Sequence, residues 1–348
     1  MDQEYTQRLK KIETELERWL PKELTDSSKW AEKVFTDNGE SVNIGSIRFL
    51  LEPLQELLYR GGKRWRPLLM TIICETLGGG GAVIPLSPVI EFSHNASLIH
   101  DDIEDESDER RGKPAVHKIY GVDTAINSGS FFYFLASCCI EAYESNSGAL
   151  KDKGQIYKLW TECIRKLHLG QAMDINWHRN VSIVPQTDDY FLMCKLKTGS
   201  LAHLAAELGA YAAGASPDTV RLLSGAADML GVGFQILDDV KNLTTGNPGK
   251  KRGDDIVEGK KSLPILLYMQ KYPERRDRVF YCFHVAKSEG GSAPEAEELI
   301  ELLNKSGAIK EAEEKGLSLL QEAQAVFSSG KLANSGNVLL DGFIKLIS

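Results

Sequence analysis

HNASLIHDDIEDESDERRG, residues 94–112, joins an apolar helical stretch to a burst of negative charge. Seven of the nine residues from Asp101 to Glu109 are acidic. Asp101 and Asp105 are four apart, so on a helix they share one face, about 6 Å apart along the axis, with Asp102 turned about 100° away. Like charges at this spacing destabilise a helix, and a bound cation reverses the sign of that effect. An all-oxygen donor set suits Mg2+, which takes one or two carboxylates together with phosphate oxygens and water. For a single motif of this kind, a solvated acidic helix end is the plainer alternative.

A second cluster changes that balance. FQILDDVKN, residues 234–242, again sets acidic residues at the end of an apolar run. Asp238 and Asn242 share one helical face and Asp239 adjoins them. Unmatched carboxylates at the end of so apolar a helix are costly to bury. Two oxygen clusters on separate apolar helices therefore imply a cleft with metal between them. Local basic groups complete the pattern. GGKRWRP, residues 61–67, puts Lys63, Arg64 and Arg66 at a Gly-rich helix start, where backbone amides and cations together make an anion site. Arg110 and Arg111 follow the first acidic run, Lys197 and Thr198 precede Gly199, and Lys250, Lys251, Arg252, Lys260 and Lys261 follow the second. Taken singly, each is a surface charge. Together with the carboxylates they suit one or two diphosphates.

Around these motifs the pattern is helical. Apolar residues recur at three- and four-residue intervals in 5–20, 46–60, 65–77, 88–105, 124–143, 154–174, 188–212, 217–243, 262–271, 294–303 and 307–327. Alternating stretches are short and few, so no sheet is expected. GGGGAVIPLSP ends one helix and starts the next, with Ser87 as N-cap and Pro88 at the first helical position. TTGNPGKKRGDD is a polar loop, and its Gly-rich part, 246–253, is a candidate lid. No linker divides the chain, so residues 1–348 are expected to form one large helical domain around a central cavity.

Composition narrows the function classes. The 348 residues are 42% hydrophobic and 26% charged, with a formal net charge of -8. That balance allows a sizeable core and argues against nucleic-acid binding through a general basic surface. The six cysteines form no CxxC pair, which fits reduced thiols in a cytoplasmic protein. The Glu-rich N-terminus lacks the apolar core of a signal peptide. No uninterrupted apolar run is long enough for a membrane span.

GGKRWRP, HNASLIHDDIEDESDERRG, KLKTGS, FQILDDVKN and GDDIVEGKKSLP occur here in the order found in the trans-isoprenyl diphosphate synthases, which the chain resembles over roughly 45–330. HNASL, DDIED, PAVHKIYG, INSGSFFYF and HLGQAMDINW read like the eukaryotic-type geranylgeranyl diphosphate synthases. The resemblance implies an all-α enzyme that condenses isopentenyl diphosphate with dimethylallyl, geranyl or farnesyl diphosphate. It implies Mg2+ as cofactor, about three ions per active site, and a homodimer. Asp101, Asp102 and Asp105 would bind metal that holds the allylic diphosphate, and Asp238 and Asp239 a further ion. Asn242 stands where the family usually has a third aspartate. Lys63, Arg66, His94 and Arg111 match the isopentenyl diphosphate pocket. Arg110, Lys197, Thr198, Gln235, Lys260 and Lys250 match groups around the allylic diphosphate.

The resemblance also bears on chain length. In this family a bulky aromatic just ahead of the first Asp motif stops growth early, and here Ala96 and Ser97 are small. The floor must then lie farther off, with Phe92, Phe131 and Phe132 as candidates. This favours the twenty-carbon product, geranylgeranyl diphosphate, over farnesyl or longer chains. A terpene cyclase shares the Asp-rich helices but needs no second diphosphate site. A non-catalytic partner subunit usually lacks one of the Asp motifs.

Overall fold

The computed structural model describes residues 3–24, 27–35, 43–144, 152–180, 182–246, 252–291 and 293–329. Its helices are α1 (Gln3–Trp19), α2 (Ser27–Phe35), α3 (Ile44–Leu58), α4 (Trp65–Thr76), α5 (Ser87–Glu104), α6 (Val116–Tyr120), α7 (Val122–Glu141) and α8 (Lys153–Arg179). They continue with α9 (Thr187–Cys194), α10 (Ser200–Ala212), α11 (Pro217–Thr244), α12 (Asp254–Glu258), α13 (Leu263–Lys271), α14 (Arg276–Glu289), α15 (Pro294–Lys305) and α16 (Ala308–Phe327). Among the described residues the fold is all-α apart from a minimal hairpin, β1 (Glu109–Arg110) with β2 (Lys113–Pro114).

The apolar spacing explains how these helices pack. α11 starts at Ser216, whose Oγ accepts the Thr219 amide, with Pro217 as the first helical residue. Leu223, Leu230, Ile236 and Leu243 on it are fully buried, each worth about 1.5–3 kcal/mol of transfer free energy. α11 lies against α16 and α10, α10 against α4, and α5 against α7. Two hydrophobic clusters result, and α11 and α16 contribute to both. By length and composition α11 is apolar enough to cross a membrane, against the expectation that no segment would be, and 61% of its most apolar window is buried in the fold.

Differences from the sequence reading have local causes. α14 was not expected, because Val279 to Phe283 is a continuous apolar run; only Val279, Cys282, Phe283 and Ala286, on one face, are buried. α2, α6 and α12 are too short to show a period. Ser87 is not the cap. A 3₁₀ turn over Ile84–Leu86 runs straight into α5, so Ser87 is already helical (φ −54°, ψ −40°) and Leu86 takes the cap position. The hairpin was missed because its two central residues are Arg111 and Gly112, both with positive φ (55° and 73°). Two-residue hairpin loops of that kind usually carry Asn-Gly or Asp-Gly.

Candidate active site

One cavity of about 580 Å3 brings the sequence motifs together. Asp101, near the end of α5, lines it with Asp238 and Asp239 from the last turns of α11. Each aspartate of the first motif is matched by a cation. Lys197 Nζ lies 3.0 Å from Asp101 Oδ1, Arg110 Nη2 lies 3.2 Å from Asp101 Oδ2, and Arg110 Nε donates to Asp102 Oδ1 at 2.8 Å. Lys260 donates to Asp105 Oδ2 at 2.8 Å and also pairs with Glu258.

Three of the expected metal ligands are set back from the wall. Asp102 is fully buried beneath Arg110, and the Asp105 side chain is 1% exposed behind Lys260. Burial drives the Asp105 carboxyl up from its ordinary value; Lys260 opposes the shift and Asp101 adds to it. Its Oδ1 has no hydrogen-bond partner among the described residues. Asn242 is buried, and its Oδ1 accepts the Asp255 amide at 3.2 Å. It therefore ties α11 to α12, and its carbonyl oxygen is not on the cavity wall.

Beside Asp101 and Lys197, α8 supplies two groups that the sequence reading did not single out. Gln171 Nε2 donates to Asp101 Oδ1 at 3.0 Å and to Glu104 Oε2 at 2.6 Å. Asp174 Oδ2 accepts from Lys197 Nζ at 2.6 Å. Burial opposes the charge on Asp174, but Lys197 and Lys260 outweigh it and hold its pKa down. The available signal was their spacing: three residues apart on an amphipathic helix, within HLGQAMDINW.

Lys197 and Thr198 reach the cavity from a π-helical turn, Lys195–Gly199, between α9 and α10. Such turns recur at functional sites. Here two glycines admit the backbone: a Cβ at Gly170 would lie 2.4 Å from Lys197 N, and one at Gly231 would lie 2.5 Å from Gly199 Cα. Thr198 Oγ1 donates to Gln235 Oε1 at 2.7 Å, and Gln235 Nε2 donates to Asp239 Oδ1 at 2.9 Å. Tyr190 Oη donates to Asp239 Oδ2 at 2.7 Å. Burial raises the Asp239 pKa to about 6, against the pull of those two donors.

A second group of cations lines the same cavity without a matching set of carboxylates. The hairpin turn sends Arg110 and Arg111 apart. Arg111 Nη1 donates to Gly61 O at 2.6 Å and, at 3.3 Å, to Asn95 Oδ1. Arg66 is buried, stacks over the Trp65 ring at 4.4 Å, and its Nε has no partner among the described residues. Burial lowers both guanidiniums to about 10, with Glu91 the chief opposing charge. His94 sits among them, and burial together with Arg66, Arg111 and Arg110 drives its pKa well below the ordinary value, so it is neutral at pH 7. The neighbouring basic residues behave differently. Arg64 is taken up by Glu13, Glu91 and the Leu58 carbonyl, Lys63 is exposed and off the cavity wall, and Lys250 lies outside the described residues, as does most of the candidate lid.

Of the chain-length candidates, only Ser97 lines the cavity. Ala96 is fully buried; Phe92 and Phe132 pack on each other at 4.8 Å; Phe131 stacks on Phe35. From the FFYF run it is Tyr133 that reaches the wall, with its ring 5.4 Å from that of His168; Trp65, Tyr190 and Phe234 are the other aromatics lining the cavity.

The sequence model of the family described as polyprenyl synthetase matches residues 47–301. The chain belongs to that family. It is 31% identical over 302 residues to a geranylfarnesyl diphosphate synthase of Aeropyrum pernix, covering 84% of this chain and 92% of that one. A geranylgeranyl pyrophosphate synthase of Gibberella zeae is 40% identical over 187 residues, 53% of this chain; the match spans about half of that relative's length, 47%. The geranylgeranyl pyrophosphate synthetase structure from Pyrococcus horikoshii superposes with a TM-score of 0.80 at 26% identity, over 99% of this chain and 96% of that one. A polyprenyl synthase from Caulobacter crescentus, complexed with calcium and isoprenyl diphosphate, shares the fold (TM-score 0.72, 24% identity, 96% of each chain). As a member of this polyprenyl synthetase family, the protein is a prenyltransferase by class.

Proposed function

We propose that the protein condenses isopentenyl diphosphate head to tail with an allylic diphosphate, with geranylgeranyl diphosphate as the main product. One observation carries the reading. A carboxylate-rich group and a separate group of poorly neutralised cations face the same cavity, so two diphosphates can lie side by side. A terpene cyclase has no use for the second group. Both Asp motifs are present, against a non-catalytic partner role.

The donor set fits Mg2+. Among the described residues no three His, Cys, Asp or Glu donors stand close enough to form a ready-made metal centre. That suits an ion completed by phosphate oxygens and water. Asp101, Asp238 and Asp239, the motif carboxylates on the cavity wall, would each supply an oxygen to such ions. Bound metal supplies Lewis-acid neutralisation of the leaving diphosphate. Lys197, Arg110, Lys260 and Thr198 orient the allylic diphosphate and stabilise the charge that develops as its carbon–oxygen bond breaks. Arg66, Arg111 and neutral His94 hold isopentenyl diphosphate and present its double bond. The buried walls exclude water from the allylic cation. No side chain is assigned as the base that takes the final proton; the released diphosphate serves.

Ser97 leaves room for a growing chain, and the Tyr133–His168 pair takes the limiting role first given to the phenylalanines. The reading includes a homodimer and a reduced cytoplasmic setting, which six free cysteines suit. The test is incubation with Mg2+, isopentenyl diphosphate and each of dimethylallyl, geranyl and farnesyl diphosphates, followed by mass analysis. A twenty-carbon diphosphate is expected. Consumption of an allylic diphosphate without isopentenyl diphosphate, or no consumption of either, overturns the reading.

A further inference from the structure

A charged cluster outside the cavity grips the π turn from behind. Asp228 of α11 is buried, and its Oδ2 lies 3.1 Å from Lys195 Nζ and 3.1 Å from His203 Nδ1. Lys195 opens the π turn and His203 stands four residues beyond its end, so one carboxylate spans the turn from both sides. Between them Gly199 lies flat on Asp228, where an added Cβ would meet Oδ1 at 3.5 Å and the backbone oxygen at 3.6 Å. On α11, Asp228, Gly231 and Gln235 follow one another at three and four residues, and so share a face. That face meets the turn in three ways: an ion-pair cluster, a backbone-to-backbone contact, and the Thr198–Gln235 bond.

We propose that Asp228, with His203 and Lys195, is a positioning cluster that fixes the π turn and thereby aligns Lys197 and Thr198 on the allylic diphosphate. None of the three lines the cavity, so they act through the groups they hold. The proposal rests on the prenyl-transfer reading. Exposure ranks the partners. The Lys195 side chain is 55% exposed and its bond is a weak surface pair, whereas His203 is 27% and Asp228 10% exposed. Burial disfavours a charged His203, but hydrogen bonds to Asp228 and Glu207 outweigh it and raise its pKa to about 9. Lys166 of α8 adds a further cation facing Asp228 and Glu207. A charge-assisted bond of this kind is stronger than a neutral one and more demanding in direction.

The test compares His203→Gln and His203→Arg with the wild type in steady-state assays with Mg2+ and isopentenyl diphosphate, using whichever of dimethylallyl, geranyl and farnesyl diphosphates turns over fastest. His203→Gln should lower kcat/KM for the allylic diphosphate about tenfold, through misplacement of Lys197 and Thr198. The KM for isopentenyl diphosphate should stay within about twofold, because Arg66, Arg111 and His94 lie on other elements. His203→Arg keeps a cation beside Asp228 and should restore most of the loss. If His203→Gln does not fold, Asp228→Asn is read in the same way. Unchanged kinetics, no rescue by arginine, or both KM values rising together with a falling melting temperature overturns the proposal. A wild type that consumes no isopentenyl diphosphate overturns the prenyl-transfer reading, and the proposal with it.

Discussion

Replacing Gly231 by alanine isolates the contact that admits the π turn. The new Cβ would stand 2.5 Å from Gly199 Cα, 3.0 Å from Gly199 N and 3.3 Å from the Thr198 carbonyl carbon. Carbon atoms pack comfortably at about 3.5–4.0 Å, so one backbone must retreat by about 1 Å. Neither neighbour is the flexible end of a side chain. Overpacking of this kind costs about 1–3 kcal/mol. Alanine returns about 0.5–1 kcal/mol through helix propensity. The net loss is then about 0–2.5 kcal/mol, a fall in melting temperature of no more than about 3–4 °C for a chain of this size. Activity should fall further, because a 1 Å displacement of Lys197 and Thr198 is worth about 10²-fold in rate. Gly225→Ala is the internal control: it lies on the same helix with no atom within 4 Å of its added Cβ, and should be neutral or stabilising. The assay is prenyl transfer from isopentenyl diphosphate alongside thermal unfolding. A Gly231→Ala protein with wild-type kcat, or one stabilised as much as the control, refutes the reasoning.

Four further outcomes are expected. Asp238 is exposed, so Asp238→Ala should leave stability within about 0.5 kcal/mol while turnover drops about 10²-fold or more, by unfolding and by product formation. Arg66 is a buried cation whose charge burial disfavours, so Arg66→Met should not lower the melting temperature, while the KM for isopentenyl diphosphate rises about 10²-fold. Ser97→Phe puts a ring into the cavity and should shift the product to shorter chains, read by mass; an unchanged product would place the growing chain elsewhere. The fourth concerns pH. The His203 pKa is raised on folding to about 9, so its stabilisation is complete below about 6.5 and is lost as pH rises through 9. The gap in melting temperature between wild type and His203→Gln should therefore be widest near pH 6 and shrink above pH 9.

Much of the site was legible because its chemistry needs particular atoms in particular numbers. Asp101, Asp238 and Asp239 announce themselves as carboxylates ending apolar helices, and they line one cavity. Arg66 and Arg111 could be picked out only as part of a local excess of positive charge. What separates them from Arg64 is its pairing with Glu13, and α1, which carries Glu13, is far from the loop in sequence. Gln171 and Asp174 went unremarked because a glutamine and an aspartate on a mixed helix look like ordinary solvated positions. Phe92 and Phe132 looked like a floor because aromatic spacing shows a helical stripe without showing what it faces; they pack on each other.

The sequence by itself determined the helical class, most of the long helices and the two acidic clusters, because periodicity and the cost of burying charge are local properties. Tertiary structure decided which cation meets which carboxylate, which aromatic reaches the cavity, and that Asp102, Asp105 and Asn242 stand back from its wall. Those choices depend on close approaches between helices distant in the chain, such as Gly199 against Gly231. No local pattern encodes such a distance, because it is fixed by how all the surrounding helices pack at once.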